Sequence, residues 1–135
     1  MKSFILIVVA VAVLTLPRVS FASDESLIDM PGEWDSFYIV MLKQPERPDP
    51  NKALSNAELK VLMYQHIQYQ LKLQKDSKAL AGGGFAEIKE GNVGLTLLNV
   101  ETLEEAEHIA NQDPAVAGGH FHAIVYQWYV PAGRL

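Results

Sequence analysis

From residue 34 onward the hydrophobic positions fall into two rhythms, and their alternation predicts a strand, a helix, two strands, a helix and a strand. Trp34–Lys43 is crowded with aromatic and β-branched residues and reads as the first strand. Gln44–Asn51 carries Pro45, Pro48 and Pro50 among charges, so it reads as a loop of restricted backbone freedom. The rhythm then changes. Leu59, Leu62, Met63, Ile67 and Leu71 recur at steps of three and four, the period of a helix with one side turned inward, and this predicts a helix over Asn56–Ala79. Ser55 and Glu58 form a capping box at its start, each side chain able to satisfy a free backbone N–H of the first turn. Leu80–Ile88, interrupted by Gly82-Gly83-Gly84, reads as a strand bent or bulged at the glycines, and Val93–Val100 follows it across the turn Glu90-Gly91-Asn92. Thr102 and Glu105 open a short helix to Gln112 with Leu103, Ala106, Ile109 and Ala110 inward. Asp113-Pro114 stops it, because the residue before proline avoids helical geometry. Gly118-Gly119 then lead into a last strand, His120–Val130.

The order β-α-β-β-α-β is that of the ferredoxin-like split unit, an α+β fold with a four-stranded antiparallel sheet and both helices on one face. The strands carry too much apolar surface for that fold alone. Trp34, Tyr38, Val40 and Leu42 point one way, but Phe37, Ile39 and Met41 point the other. Ile124, Tyr126 and Trp128 likewise oppose Phe121, Val125 and Tyr129. A half-exposed strand alternates apolar with polar, and these do not. Two helices cover one face, so the other needs a second cover. The simplest is the same sheet from a second copy, a homodimer closing into an α/β barrel.

Ahead of these elements, Met1-Lys2, an apolar run from Phe4 to Leu14 and Ser20-Phe21-Ala22 make up a secretory signal with cleavage after Ala22. The run is short for a membrane span, which needs about 20 apolar residues. The expectation is a periplasmic or secreted protein with no stable membrane insertion after cleavage. Ser23–Glu33 reads as a flexible leader and residues 34–135 as one domain. With no cysteine, disulfides, thiolate–metal sites and thiol nucleophiles are excluded. Removing residues 1–22 takes away Lys2 and Arg18, leaving 9 basic against 16 acidic residues. That balance, without a basic stripe, argues against nucleic acid as a partner.

The chemistry-bearing residues are few. His66 lies on the inward stripe of the long helix, one turn beyond Leu62, as either a satisfied core group or a proton-transfer residue. Tyr69, a turn further on, either packs or offers its hydroxyl to a ligand. The amides of Gly82–Gly84, Gly83 at their centre, could approach a ligand, but they lack the spacing of a phosphate loop. His120 and His122 share one side of the last strand, placing His122 at a ligand rim or a dimer contact. A three-histidine metal site with His66 has no carboxylate tied to it, and neither metal nor cofactor is expected. Asp113, ahead of Pro114, can cap a short turn through Gly118.

His66-Ile67-Gln68-Tyr69, Lys78-Ala79-Leu80-Ala81-Gly82-Gly83, Leu98–Ala106 and Asp113–Gly118 form an ordered set that resembles the YCII-related domain, over Phe37 to about Tyr129. The resemblance implies a dimeric α/β barrel and a pocket in which a helix histidine meets the aspartate of an Asp-Pro turn; here those positions are His66 and Asp113. Related barrels include muconolactone-isomerase-like and dehydrochlorinase-like enzymes acting on small ring compounds. It therefore implies a lyase or isomerase that moves a proton with a His–Asp pair. The alternative is a non-catalytic ligand-binding or assembly module on the same barrel.

Overall fold

The computed structural model describes residues 32–135, so the expected signal peptide and nearly all of the leader lie outside the described residues. Four strands and three helices follow in chain order: β1 (Trp34–Lys43), α1 (Asn56–Lys75), β2 (Ala79–Lys89), β3 (Asn92–Leu98), α2 (Leu103–Gln112), α3 (Pro114–Ala117) and β4 (His122–Pro131). A single 3-10 turn, Pro50–Lys52, interrupts the proline loop. The sheet order is β2-β3-β1-β4 with every neighbouring pair antiparallel. This is the ferredoxin-like α+β arrangement that the hydrophobic rhythm predicts.

The core lies between the sheet and the helices. Tyr38, Val40 and Leu42 of β1 and Leu98 of β3 meet Leu73 of α1 and Ala106, Ile109 and Ala110 of α2. The first helix start is a full capping box, Ser55 accepting from the Glu58 N–H while Glu58 reaches back to the Ser55 N–H. The expected second box is only half made, since Thr102 accepts from the Glu105 N–H but the Glu105 carboxylate accepts from Lys78 Nζ instead of reaching back. The long helix ends at Lys75, four residues earlier than the periodicity suggests. Ser77 adopts a left-handed conformation (φ 58°), the Lys78 N–H donates to the Leu73 carbonyl at 2.9 Å and the Ser77 N–H donates to Gln74. Those paired bonds are a Schellman closure, here built on a serine instead of the usual glycine.

The last strand starts two residues later than expected. The amides of His120 and Phe121 both turn back to the Ala115 carbonyl, at 2.9 Å each, and so belong to the turn after α3. The glycine run keeps its register, with Gly82 opposite Thr96, Gly83 opposite Leu95 and Gly84 opposite Gly94; the irregularities flank it on both sides. Gly94 is fixed by close approach, because a Cβ there would stand 2.6 Å from the Gly83 carbonyl oxygen.

The largest departure concerns α1. Leu62 and Met63 are half-buried as expected, but Ile67 and Leu71 are 52% and 53% exposed. The face of the helix that reaches the core carries His66, Tyr69, Gln70 and Leu73 instead. Opposite the other flank the sheet offers Gly82, Gly84 and Gly94, which have no side chains to meet Ile67 and Leu71. A gap remains there.

The second sheet face is apolar too, and no helix among the described residues is part of the core cluster on that side. Register places Ile39 beside Leu97 and Tyr126, Met41 beside Leu95 and Ile124, and Phe37 beside Trp128, all on the side away from the core. Phe37 is buried, Ile39, Met41, Leu95, Leu97 and Ile124 are half-buried, and Tyr126 and Trp128 are exposed.

Candidate functional site

The gap between α1 and the glycine-bearing strands is a cavity of about 370 Å³. Met63, Ile67 and Leu71 wall it from the helix, Gly82–Gly84 and Gly94 form its floor, and Phe121 closes one side. Of the ionisable side chains among the described residues only His66 lines it; Gln70, Gln74 and Thr96 add neutral polar groups.

His66 and Gln70 are four residues apart, so they share one side of α1. Both face the carboxylate that the chain delivers at the α2–α3 junction. His66 Nδ1 lies 2.7 Å from Asp113 Oδ2 and 2.9 Å from Oδ1, and Gln70 Nε2 donates to Oδ2 at 2.8 Å. The Ala115 N–H donates to Oδ1 at 2.9 Å, so Asp113 also caps the short helix α3. The capping role and the pairing with His66 are both present, one carboxylate serving the two. Thr96 Oγ1, from β3, donates to Gln70 Oε1 at 2.7 Å and completes the line Thr96–Gln70–Asp113–His66.

Asp113 is 1% exposed and the His66 side chain 17%. Burial pushes the Asp113 carboxyl up, but the hydrogen bonds from His66, Gln70 and the Ala115 N–H, with the charge of His66, outweigh it. The net result is a carboxyl held below its ordinary value. An ionised carboxylate only accepts, which puts the Nδ1 proton of a neutral His66 ring on the Asp113 side. Nε2 makes no hydrogen bond within the described residues, and no buried side-chain nitrogen or oxygen there lacks a partner, so Nε2 is accessible, on a ring that lines the cavity. Phe121 meets the ring edge-on, centroids 5.8 Å apart, and fixes its plane. An imidazole with one nitrogen tied to a carboxylate and the other free can take and return a proton.

The remaining expected ligand contacts divide. Gly83 lines the cavity. Tyr69 is turned away from it: its hydroxyl donates to the Ile109 carbonyl at 2.8 Å, committed to holding α2 against α1. Burial, and then the charge of Asp113, push its phenol up, which keeps it a donor. His122 sits exposed at the head of β4 and is not among the cavity walls. His120 packs on Phe121 instead, ring centroids 4.9 Å apart. Among the described residues no three His, Asp or Glu side chains are grouped to hold a metal ion. Gln70 and Thr96 are the residues that sequence reading passed over. Gln70 had a signal in its four-residue step from His66, whereas Thr96 had none.

Among the described residues no helix is long and apolar enough to cross a membrane. No curated protein matches the chain. Among solved structures it is similar to 5-chloro-2-hydroxyhydroquinone dehydrochlorinase from Burkholderia phenoliruptrix, in complex with 2,5-dihydroxybenzoquinone. The identity is 17%, the match covers 68% of this chain and 92% of that one, and the TM-score is 0.46. The family comparison reaches across most of the sequence, matching residues 37–129 from β1 to β4 with the cavity and its His–Asp pair inside the matched stretch. On that match the chain belongs to the YCII-related domain family.

Proposed function

We propose that the protein binds a small organic molecule in the cavity under α1 and transfers a proton on it through His66, in a lyase or isomerase reaction. The observation that carries this reading is the His66 ring itself, lining the cavity, tied at Nδ1 to a buried carboxylate and unbonded at an accessible Nε2. Nε2 takes a proton from a carbon beside a carbonyl; Asp113 steadies the imidazolium that forms. Returning the proton to a different carbon completes an isomerisation. Loss of a leaving group such as halide from the neighbouring carbon completes an elimination. Neither step needs a nucleophilic side chain.

Ligands come from a thermal-shift screen of small aromatic acids and lactones against the domain, and each stabilising compound is then tested for conversion. Against a converted compound, His66→Gln is expected to lower turnover by about 10²–10⁴-fold, the usual worth of a positioned acid or base, with melting still cooperative. Turnover equal to wild type rejects the role of His66. A compound that stabilises the protein and is never converted supports the ligand-binding module instead.

Two further parts of the proposal concern state and place. The second apolar face of the sheet is closed by a second copy of the chain, giving a homodimeric barrel. The chain is exported and cut after Ala22, leaving a mature protein that begins at Ser23. An intact mass of the exported protein equal to residues 23–135 is the expected result; a mass that retains residues 1–22 rejects the cleavage.

A further inference from the structure

We infer that Gln70, oriented by Thr96, is a positioning residue that holds Asp113 in the rotamer that fixes the His66 ring; the inference rests on the reading of His66 as the proton carrier. The carboxylate has two anchors besides His66. The Ala115 N–H holds Oδ1, and Gln70 Nε2 holds Oδ2, the oxygen closer to His66. Nδ1 also lies 2.9 Å from Oδ1, so without Gln70 the carboxylate stays held at Oδ1 but can rock about its last side-chain bond and lengthen the 2.7 Å contact from Oδ2 to Nδ1. Gln70 is the contact that resists this rocking from the Oδ2 side.

A glutamine amide is two-faced, so something must keep its NH₂ end toward the aspartate. An ionised Asp113 excludes the flipped amide, which would set oxygen against oxygen at 2.8 Å. Thr96 then receives the oxygen end. It is 3% exposed, and its hydroxyl donates to Gln70 Oε1 at 2.7 Å. The sheet makes room for this bond by a missing side chain: a Cβ on Gly82 would lie 3.3 Å from Thr96 Oγ1 and 3.5 Å from Gln70 Oε1. The glycine thus accommodates the Thr96–Gln70 bond as well as forming cavity floor. The order of dependence runs from β3 through α1 to the α2–α3 junction and back to α1.

The test reads the His66 ring directly. In protein labelled with ¹⁵N in histidine, the two ring nitrogens of neutral His66 report which one carries the proton. The wild-type ring is expected to be protonated at Nδ1. Gln70→Met, close in volume with neither donor nor acceptor, is expected to divide the ring between its two tautomers. Thr96→Val, which removes only the hydroxyl, is expected to do the same to a smaller extent. Because Thr96 acts through Gln70, the double variant is expected to match Gln70→Met alone. A purely structural role would lower the melting temperature and leave the tautomer unchanged. An unchanged ring in Gln70→Met overturns the inference, as does an added effect of Thr96→Val in the double variant. If Gln70→Met does not fold, Thr96→Val decides alone by the same signal. Failure here leaves the His66→Gln result standing, and retained turnover in His66→Gln leaves the tautomer result standing, so the two readings fall separately.

Discussion

Asp113→Ala is expected to lose about 3–5 kcal/mol of stability, the summed cost of a lost helix cap and of donors to a buried carboxylate left without an acceptor. The loss has three local sources. His66 Nδ1 loses its acceptor, Gln70 Nε2 is left facing a void, and the Ala115 N–H loses the cap of α3. A cap alone is worth about 0.5–2 kcal/mol, so the remainder falls on the orphaned donors. At about 4–8 °C per kcal/mol for a domain of this size, the midpoint of thermal unfolding drops by at least 12 °C or so. Asp113→Asn separates structure from chemistry. Its side-chain oxygen can still accept from the Ala115 N–H, so the turn survives, but its NH₂ cannot accept a proton-bearing Nδ1. The ring is then driven to carry its proton on Nε2, and turnover falls by about 10⁴-fold if the cost resembles that of a wrong tautomer in a serine protease triad.

The same carboxylate sets the acid limb of stability. Its folded-state carboxyl is depressed, so its contribution is fully present above the unfolded value of about 3.9 and is lost as the pH falls through the lower, folded one. Denaturation curves between neutral pH and pH 3 are expected to show a steeper acid loss in wild type than in Asp113→Asn. An Asp113→Ala midpoint equal to wild type would mean that the junction is held by packing alone.

How much of this was legible depended on how local the cause was. β1 was readable to the residue, and the caps at Ser55 and Thr102 were readable because a cap is written within four positions. The step from Leu62 places His66 inward, as the structure has it. The same periodicity misplaces Ile67 and Leu71, because it shows which residues could be buried and not what stands opposite. Here the opposite surface is glycine, and the surplus apolar side chains wall a cavity instead of filling a core. Ser77 ended α1 in a conformation that a residue-type rule assigns to glycine. Asp113 carried a local signal for its cap, but its bond to His66 spans 47 positions and entered only through the family resemblance. Thr96 reaches the site only because β3 pairs in one particular register, which no local pattern encodes.

In the proposed homodimer, Ile39→Glu is expected to convert the dimer to a monomer while leaving the fold intact. Ile39 sits on β1, an inner strand, between Leu97 on β3 and Tyr126 on β4, near the middle of the second face. It points away from the core formed by Tyr38, Val40 and Leu42 and is half-buried in the single chain, so the carboxylate of a longer glutamate reaches water at its tip and costs an isolated chain less than a core substitution would. Within a dimer closed over this face the same carboxylate loses its water and finds only apolar neighbours. An uncompensated buried charge costs about 3–5 kcal/mol, and the Kd rises tenfold for each 1.4 kcal/mol, so dissociation is favoured by at least 10²-fold. Val61→Glu, on the exposed side of α1, is the matched control and is expected to keep the wild-type mass. Light scattering across a concentration series reads the result. A wild type that stays monomeric at high concentration would sink the closed barrel. The His–Asp pair, made within one chain from α1 and the α2–α3 junction, would still be standing.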